Sequence, residues 1–269
     1  MSGLLDAIRS ATVIDLAQPY FPGMPHFPTH PPFLFGLTKK HGDLVTEGGV
    51  SSSADALALG SHVGTHIDAL CHFSCGGKLY GGIDVMSMQS DASGIQRYSV
   101  DTIAPIMRRG VLLDIPAVRG VRWLEPGDCV TAADLAAAQE AQQVSVGPGD
   151  LLFVRVGHRR RRAELGPWDV AGSRAGLHPQ AMEYLADRQV AALGSDGNSD
   201  TAPSLVDGVA FPVHVLAINA MGLHLVDYLQ LDDLLQVCQS AARWSFLCVI
   251  APLRLPGGTG SPVNPIAIL

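Results

Sequence analysis

Residues 61–73 read SHVGTHIDALCHF, a short segment with three histidines and one aspartate. Most of its odd-numbered positions are apolar, and its even-numbered positions include His62, His66, Asp68 and His72. In an extended chain, alternate side chains point to the same face. The segment therefore predicts a strand with one face of ligand-type side chains and one mostly apolar face.

The spacing of these residues also predicts a bend. On a straight strand His62 and His66 would lie about 13 Å apart, which is too far for two ligands of one ion. We expect the chain to bend at Gly64, while His66 and Asp68, about 6.6 Å apart, can bind or flank an ion together. Imidazole with carboxylate suits Zn²⁺, Mn²⁺ or Fe²⁺ better than Ca²⁺. The pattern favours a metal site over histidines that only make hydrogen bonds.

Further ligands must come from elsewhere in the chain, because one strand supplies too few. Each downstream candidate is equally well explained as a polar cap at the end of a strand. Cys71 has the parity of the apolar face, so we expect it to pack rather than to bind metal. The downstream candidates are Asp196, Asp200, His214, His224 and Asp227.

Strand and helix signals alternate along the chain, which predicts one α/β domain over residues 1–269. Residues 213–219 form a further apolar run. The predicted strands are residues 110–115, 151–156, 189–196 and 244–253. The predicted helices are residues 131–143, the segment that begins at His178-Pro179, and residues 231–243, of which the first opens with a capping box at Thr131.

Three other segments have two interpretations each. The proline- and aromatic-rich residues 19–34 are either a surface connector or an ordered loop that closes over a pocket. The basic run at residues 158–162 is predicted to be a solvated loop, with an anion or interface contact as the alternative. The glycine-rich residues 257–260 are predicted to form a structural turn, because prolines follow where a phosphate cradle would need a helix.

Composition excludes several classes of protein. The chain has 269 residues, a formal charge of −7 and 47% apolar residues, which is typical of a globular protein. The acidic balance argues against nucleic acid as a partner, and no apolar run is long enough to predict a membrane span. The chain start lacks the pattern of a secretion signal, and the five cysteines do not predict a disulfide framework. We therefore expect a cytoplasmic protein.

The segment HVGTHIDALCHF resembles the HxGTHxDxxxH signature of the putative cyclase superfamily, which includes bacterial kynurenine formamidase and isatin hydrolase. DLAQPYFPG, GVLLDI, the PGD before LLFVRVGH, and LGSD follow in the order that the family shows, and APLRLPGGTGSPVNPIAIL resembles the ending of its longer branch. The resemblance implies a mixed sheet of the swivelling β/β/α type and a homodimer or homotetramer. It also implies a hydrolase of amide bonds in a small molecule that depends on a divalent metal, Zn or Mn.

The resemblance also implies a set of metal ligands. The first two histidines and the aspartate of the motif, His62, His66 and Asp68, are similar to family metal ligands. His214 resembles a late histidine that completes a two-metal site. Asp227 falls at the position of a family glutamate, one methylene shorter and one residue farther from His214, so we expect one or two ions per chain.

Two further roles follow from the same resemblance. His72, the third histidine of the motif, is similar to the family's general acid/base. Phe21 aligns with a tryptophan that stacks on substrate in the formamidases, so aromatic stacking is expected without the indole donor.

These observations predict hydrolysis of an amide or cyclic amide bond in a planar or aromatic substrate. A bound metal would activate water, and His72 would move a proton to the leaving nitrogen. The alternatives are a metal-dependent cyclase or lyase of secondary metabolism and a non-catalytic metal-binding homologue. A serine or cysteine nucleophile is disfavoured, because the chain has no Gly-x-Ser-x-Gly elbow.

Overall fold

The computed structural model describes Asp6 and residues 9–269. Residues 1–5 and 7–8, where the segment examined for a secretion signal begins, lie outside the described residues. The strands are β1 (Val13–Asp15), β2 (Leu34–Lys39), β3 (Ala54–Ala58), β4 (His66–Asp68), β5 (Gln89–Ser90), β6 (Gly94–Ile95), β7 (Ile106–Asp114), β8 (Cys129–Val130), β9 (Leu151–Arg155), β10 (Gly176–Leu177), β11 (Ala192–Ser195), β12 (His224–Asp227), β13 (Ser245–Ile250), β14 (Gly260–Pro262) and β15 (Ile266–Ile268).

Helices connect the central strands. A π-helical segment, Val215–Met221, directly follows the α-helical turn Pro212–His214. Short 3₁₀ segments span Tyr80–Gly82 and Val100–Thr102. The α-helices are α1 (Ile115–Val118), α2 (Ala132–Gln142), α3 (His158–Leu165), α4 (Ala181–Asp187), α5 (Pro212–His214) and α6 (Asp232–Ala241).

The largest element is a nine-stranded mixed sheet in the order β1-β15-β13-β7-β9-β11-β12-β4-β14. Its centre, β7, β9, β11 and β12, is parallel, and the strands on either side pair antiparallel. Each parallel step passes through helical segments, because parallel neighbours need a crossover connection. The α/β class with a mixed sheet is therefore confirmed, whereas a single domain over residues 1–269 stays a prediction.

Side-chain alternation along the central strands builds two cores, one on each face of the sheet. On β7, Val111 and Leu113 join one cluster with α2 and α4, whereas Leu112 joins the other with α6. Strands that are buried on both faces carry nearly continuous apolar runs. This is why GVLLDI and LLFVRV could be recognised as strands from sequence alone.

Most predicted elements lie where the sequence placed them. The apolar run at residues 213–219, for which the sequence predicted neither helix nor strand, is helical and is entered through Pro212 in the first turn of α5. Proline is tolerated there because its missing N–H would be unpaired anyway. In the described part of the chain, no helix combines the length and hydropathy needed to cross a bilayer.

One prediction was wrong: the basic run at residues 158–162, predicted to be a solvated loop, forms most of α3. Arg160 pairs with Glu164 one turn later at 3.3 Å, and Arg161 pairs with Glu125 at 2.8 Å. Arginine is a good helix former, and a partner four residues away adds support. The prediction of a loop rested on the charge of the run and did not include the ion pairs with Glu164 and Glu125.

Helix α2 begins with the predicted capping box, which can be tested by substitution. Thr131 Oγ1 accepts a hydrogen bond from the Asp134 backbone N–H at 3.2 Å, and the Asp134 carboxylate accepts one from the Thr131 N–H at 2.7 Å. We expect Thr131→Ala to lower the free energy of unfolding by about 1 kcal/mol. Thr131→Ser keeps the hydroxyl and should retain most of that stability. Urea denaturation measures both, and an equal loss in the two variants would contradict the capping role.

Candidate metal centre

The candidate centre lies where β4 meets the carboxyl end of β12. β4 is clamped between β12 and β14, with His66 directly opposite Asp227. β11 runs parallel to β12, so the polar loop after β11 reaches the same edge. The carboxyl ends of parallel strands are where open α/β sheets place their ligand sites.

The motif bends at Gly64, as its spacing predicted. Gly64 has φ +67°, and a Cβ there would lie 2.8 Å from the ring of Tyr20. Its carbonyl oxygen accepts a hydrogen bond from His66 Nδ1 at 2.9 Å. This bond leaves His66 Nε2 directed towards Asp68, 3.4 Å from Oδ1.

Asp68 is the centre of the cluster and is completely buried. His62 Nδ1 lies 2.7 Å from Asp68 Oδ1, and His214 Nε2 lies 3.4 Å from Oδ2. The ring of His72 stacks on that of His62, with centroids 3.7 Å apart. His62, Asp68 and His72 each offer one ligand atom, and these atoms lie within 4.8 Å of one another. The four residues of the motif are therefore brought together.

The late residues join the cluster through a network around His214. Its Nδ1 donates a short hydrogen bond to Asp200, which turns Nε2 towards Asp68 and, at 3.8 Å, towards Asp227. The Asp227 carboxylate accepts hydrogen bonds from the Asn198 side chain and from the backbone and hydroxyl of Ser199. Asp200 thus positions an imidazole, an arrangement typical of the groups behind metal-ligating histidines.

Burial and the neighbouring charges shift the pKa values of the buried groups in this cluster, some upwards and some downwards. Burial alone would raise the pKa of Asp68, but the surrounding imidazoles hold that pKa well below its usual range. Burial lowers the pKa of His72 well below its ordinary value, so its imidazole is neutral at neutral pH. Against burial, the hydrogen bonds to Asp200 and Asp68 raise the pKa of His214 to about 10. Burial also raises the pKa of Asp227, and the charge of Asp68 adds to this effect.

A divalent cation fits this arrangement. Within the described residues, Asp68 Oδ2 is buried and has no hydrogen-bond partner, although a buried carboxylate oxygen without a partner is strongly disfavoured. The imidazoles and carboxylates around it are the donors that Zn²⁺ and Mn²⁺ accept. The ligand set that the resemblance implies, His62, His66 and Asp68 with His214 and Asp227, stays a prediction.

A cavity of about 170 Å³ opens onto His62, His66, His72 and His214. Its walls also include aromatic side chains and three residues of the proline-rich segment, Phe27, Thr29 and His30, so this segment is an ordered loop over a pocket. Phe21, the residue expected to stack on substrate, lies elsewhere, half exposed in a separate apolar groove with Phe33 and Leu57. The wall residues beyond the four histidines are Phe27, Thr29, His30, Phe73, Asn198, Phe211 and Tyr228.

Other sequence candidates have supporting positions. His224 Nδ1 donates to the backbone oxygen of Asp68 at 2.9 Å, and Asp196 accepts from the backbone N–H of Val156 at 2.7 Å. Cys71 is buried, and burial raises the pKa of its thiol to about 11, which makes it a poor nucleophile. All five cysteines are free thiols.

Sequence reasoning missed three residues around the centre. Asn198 and Ser199 were passed over because an amide and a hydroxyl between two aspartates are typical of any polar turn. Tyr228 follows Asp227 and has φ +58°, a conformation uncommon for a non-glycine residue and often associated with functional sites. The sequence carries no signal for it, because backbone strain appears only in the folded chain.

Comparisons with known proteins place this chain among related sequences and structures. The profile of the putative cyclase family matches residues 14–200. Isatin hydrolase of Roseibium aggregatum is 28% identical over 218 residues, which cover 79% of this chain and 73% of that protein. A solved structure of a novel cyclase superposes with a TM-score of 0.86 at 24% identity, covering 100% of this chain and 90% of that one. Isatin hydrolase A from Ralstonia solanacearum has a TM-score of 0.73 at 25% identity, with coverage of 100% and 96%.

The bend at Gly64 gives a test of how the centre is held. Gly64→Ala should lower the free energy of unfolding by about 2–4 kcal/mol, because a left-handed conformation costs about 1 kcal/mol and the contact with Tyr20 adds overpacking. Gly76→Ala is the matched control, since Gly76 has φ +55° and open space around it. Chemical denaturation should show the smaller loss at Gly76. Equal losses would mean that Tyr20 does not constrain the bend.

Proposed function

This chain belongs to the putative cyclase family, and we propose that it is a divalent-metal-dependent hydrolase of an amide or cyclic amide C–N bond in a small planar molecule. The observation that carries the proposal is the buried carboxylate of Asp68, whose Oδ2 has His214 Nε2 as an ion-pair neighbour at 3.4 Å and lies among imidazoles that line an open cavity. The sequence relationship to an isatin hydrolase supports the same class of reaction.

The metal site supplies the electrophilic part of this chemistry. A bound Zn²⁺ or Mn²⁺ lowers the pKa of water and polarises a carbonyl group. His62, His66 and Asp68 are the proposed ligands of one ion. The closeness of His214 Nε2 to both Asp68 and Asp227 supports a second, for which Asp200 orients the imidazole.

His72 is the proposed proton carrier. It lines the cavity, and its neutral imidazole, kept so by burial, can accept a proton from water and return it to the leaving nitrogen. Its ring faces that of His62 at 3.7 Å, so it acts next to the ligands. A purely structural metal site would need neither a neutral imidazole nor an open cavity beside it.

Aromatic side chains form the remaining wall. Phe211 contacts both Phe27 and Phe73 edge to face, with ring centroids 5.7 Å apart in each pair. Such a wall packs a flat substrate. We propose Phe27, rather than Phe21, as the aromatic residue of the proline-rich segment that contacts substrate.

We also propose that the protein is a homodimer or homotetramer, built on the hairpin β2–β3. Both strands are exposed, although Leu34, Phe35, Leu37 and Leu57 are large and apolar. A two-stranded hairpin is marginal by itself, and an exposed apolar patch marks an interaction surface. An apolar groove of about 580 Å³ at its base, lined by Phe21 among others, gives a second copy a surface to cover.

Metal and proton roles can be separated by two variants. We expect His66→Ala to lose bound metal and amide hydrolysis, and His72→Gln to keep the metal but lower kcat by about 10²–10⁴-fold. Elemental analysis of protein purified without added metal and turnover of formanilide are the measurements. His41→Ala, an exposed histidine outside the cavity, is the control.

Unchanged metal content and turnover in His66→Ala would overturn the proposed function. Labelled water adds a second criterion. A hydrolase places one solvent oxygen in the acid product, whereas product free of solvent oxygen would favour a lyase or cyclase.

The hairpin interface is tested by light scattering after size-exclusion chromatography. Phe35→Lys and Leu57→Lys should shift the protein to monomer, because a charge would be buried in an apolar contact. Met86→Lys, at an exposed apolar residue outside the hairpin, should leave the assembly intact. A wild-type protein that stays monomeric at micromolar concentration would contradict the interface.

A further inference from the structure

A second, smaller cavity adjoins the metal cavity and has a different chemical character. The two share Phe27, His62 and Tyr228 as lining residues, so they lie side by side. The smaller one has a volume of about 30 Å³, room for about two water molecules. It therefore fits a small polar group attached to a molecule that occupies the larger cavity.

The far side of this cavity is formed by helix α3. Arg159 and Arg162 both line it, since residues three apart share one face of a helix. Both side chains are only partly exposed. Among the described residues, no carboxylate lines this cavity.

The four arginines of the basic run divide into two kinds. Arg160 and Arg161 point away from the cavity and have the carboxylate partners Glu164 and Glu125. The side chains of the other two, Arg159 and Arg162 on the cavity side, make no hydrogen bond or ion pair with any described residue. A guanidinium that is half-buried without a partner is costly, because it loses hydration without compensation.

The neighbouring positive charges add to the cost of these two unpaired guanidinium groups. Burial and the neighbouring charge of Arg159 lower the pKa of Arg162. Arg174 is buried nearby, and its Nε donates only to uncharged acceptors, the side-chain oxygen of Asn198 and the backbone oxygen of Asp200. Two guanidinium groups without a carboxylate partner, with that of Arg174 nearby, thus lie beside the active-site cavity in a chain whose net charge is −7.

We propose that Arg159 and Arg162 bind a carboxylate of the substrate, so that this enzyme acts on anionic amides: planar molecules with the scissile amide at the metal and a carboxylate across the ring. The inference rests on the proposed function and specifies its substrate class. Tyr228 lines both cavities, and its ring centroid lies 6.1 Å from that of His66 on the metal side and 5.7 Å from that of His158, the first residue of α3.

Hydrolysis of matched substrates tests the proposal. Formanilide, 3-formamidobenzoate and 4-formamidobenzoate share the amide and differ in the carboxylate. We expect at least one carboxylated substrate to have a kcat/KM more than tenfold above that of formanilide. Arg162→Gln and Arg159→Gln should each lower the ratio of that value to the kcat/KM for formanilide by about 10- to 100-fold. Arg160→Gln is the matched control and should leave that ratio unchanged.

A binding measurement separates this inference from the proposed function. In metal-free protein, calorimetry should show that 4-aminobenzoate binds more tightly than 4-aminobenzamide, with a preference that Arg162→Gln removes and Arg160→Gln keeps. Arginine-dependent binding without hydrolysis of any amide would leave the anion site standing and refute the hydrolase. Metal-dependent hydrolysis without preference for carboxylated substrates, or no arginine-dependent binding, would overturn the anion site.

Discussion

The buried carboxylate of Asp68 is the constraint around which this protein is organised. A carboxylate in the interior of a sheet is tolerated only if its charge is matched, and here the matching groups come from distant parts of the chain. His62 and His66 precede it in the motif, and His214 arrives from a helix after β11. The backbone oxygen of Asp68 also accepts a hydrogen bond, from His224 Nδ1. The parallel centre of the sheet brings these parts together.

The sequence predicted which residues of the motif lie together in the centre more fully than it predicted the path of the chain between them. Side-chain parity grouped the right residues, yet only His66 and Asp68 share a strand, since β4 spans three residues. His62 is reached across the bend at Gly64, and His72 lies beyond a turn in which its N–H bonds to Ala69. Side-chain parity grouped these residues because the bend at Gly64 and the turn before His72 both return the chain to the same side of the sheet edge. The sequence pattern alone does not show that these turns do so.

The fold was predictable where burial on both faces leaves a continuous apolar signature, as in β7 and β9. It was not predictable where tertiary partners decide the outcome. The basic run became a helix because Glu164 and Glu125 pair with two of its arginines. Phe21 and Phe27 look equivalent in a proline-rich segment, and only the path of the folded loop sends Phe27 to the cavity and Phe21 to the outer groove.

The position of β14 has a consequence for biosynthesis. This strand, Gly260–Pro262, closes over β4 near the very end of the chain, and the preceding Thr259 contacts His62 through its hydroxyl. Contacts between residues so far apart in sequence form late and slowly. The histidine motif of a nascent polypeptide is therefore synthesised long before β14, the strand that pairs with β4. Any metal that binds in that interval would meet a motif without its covering strand.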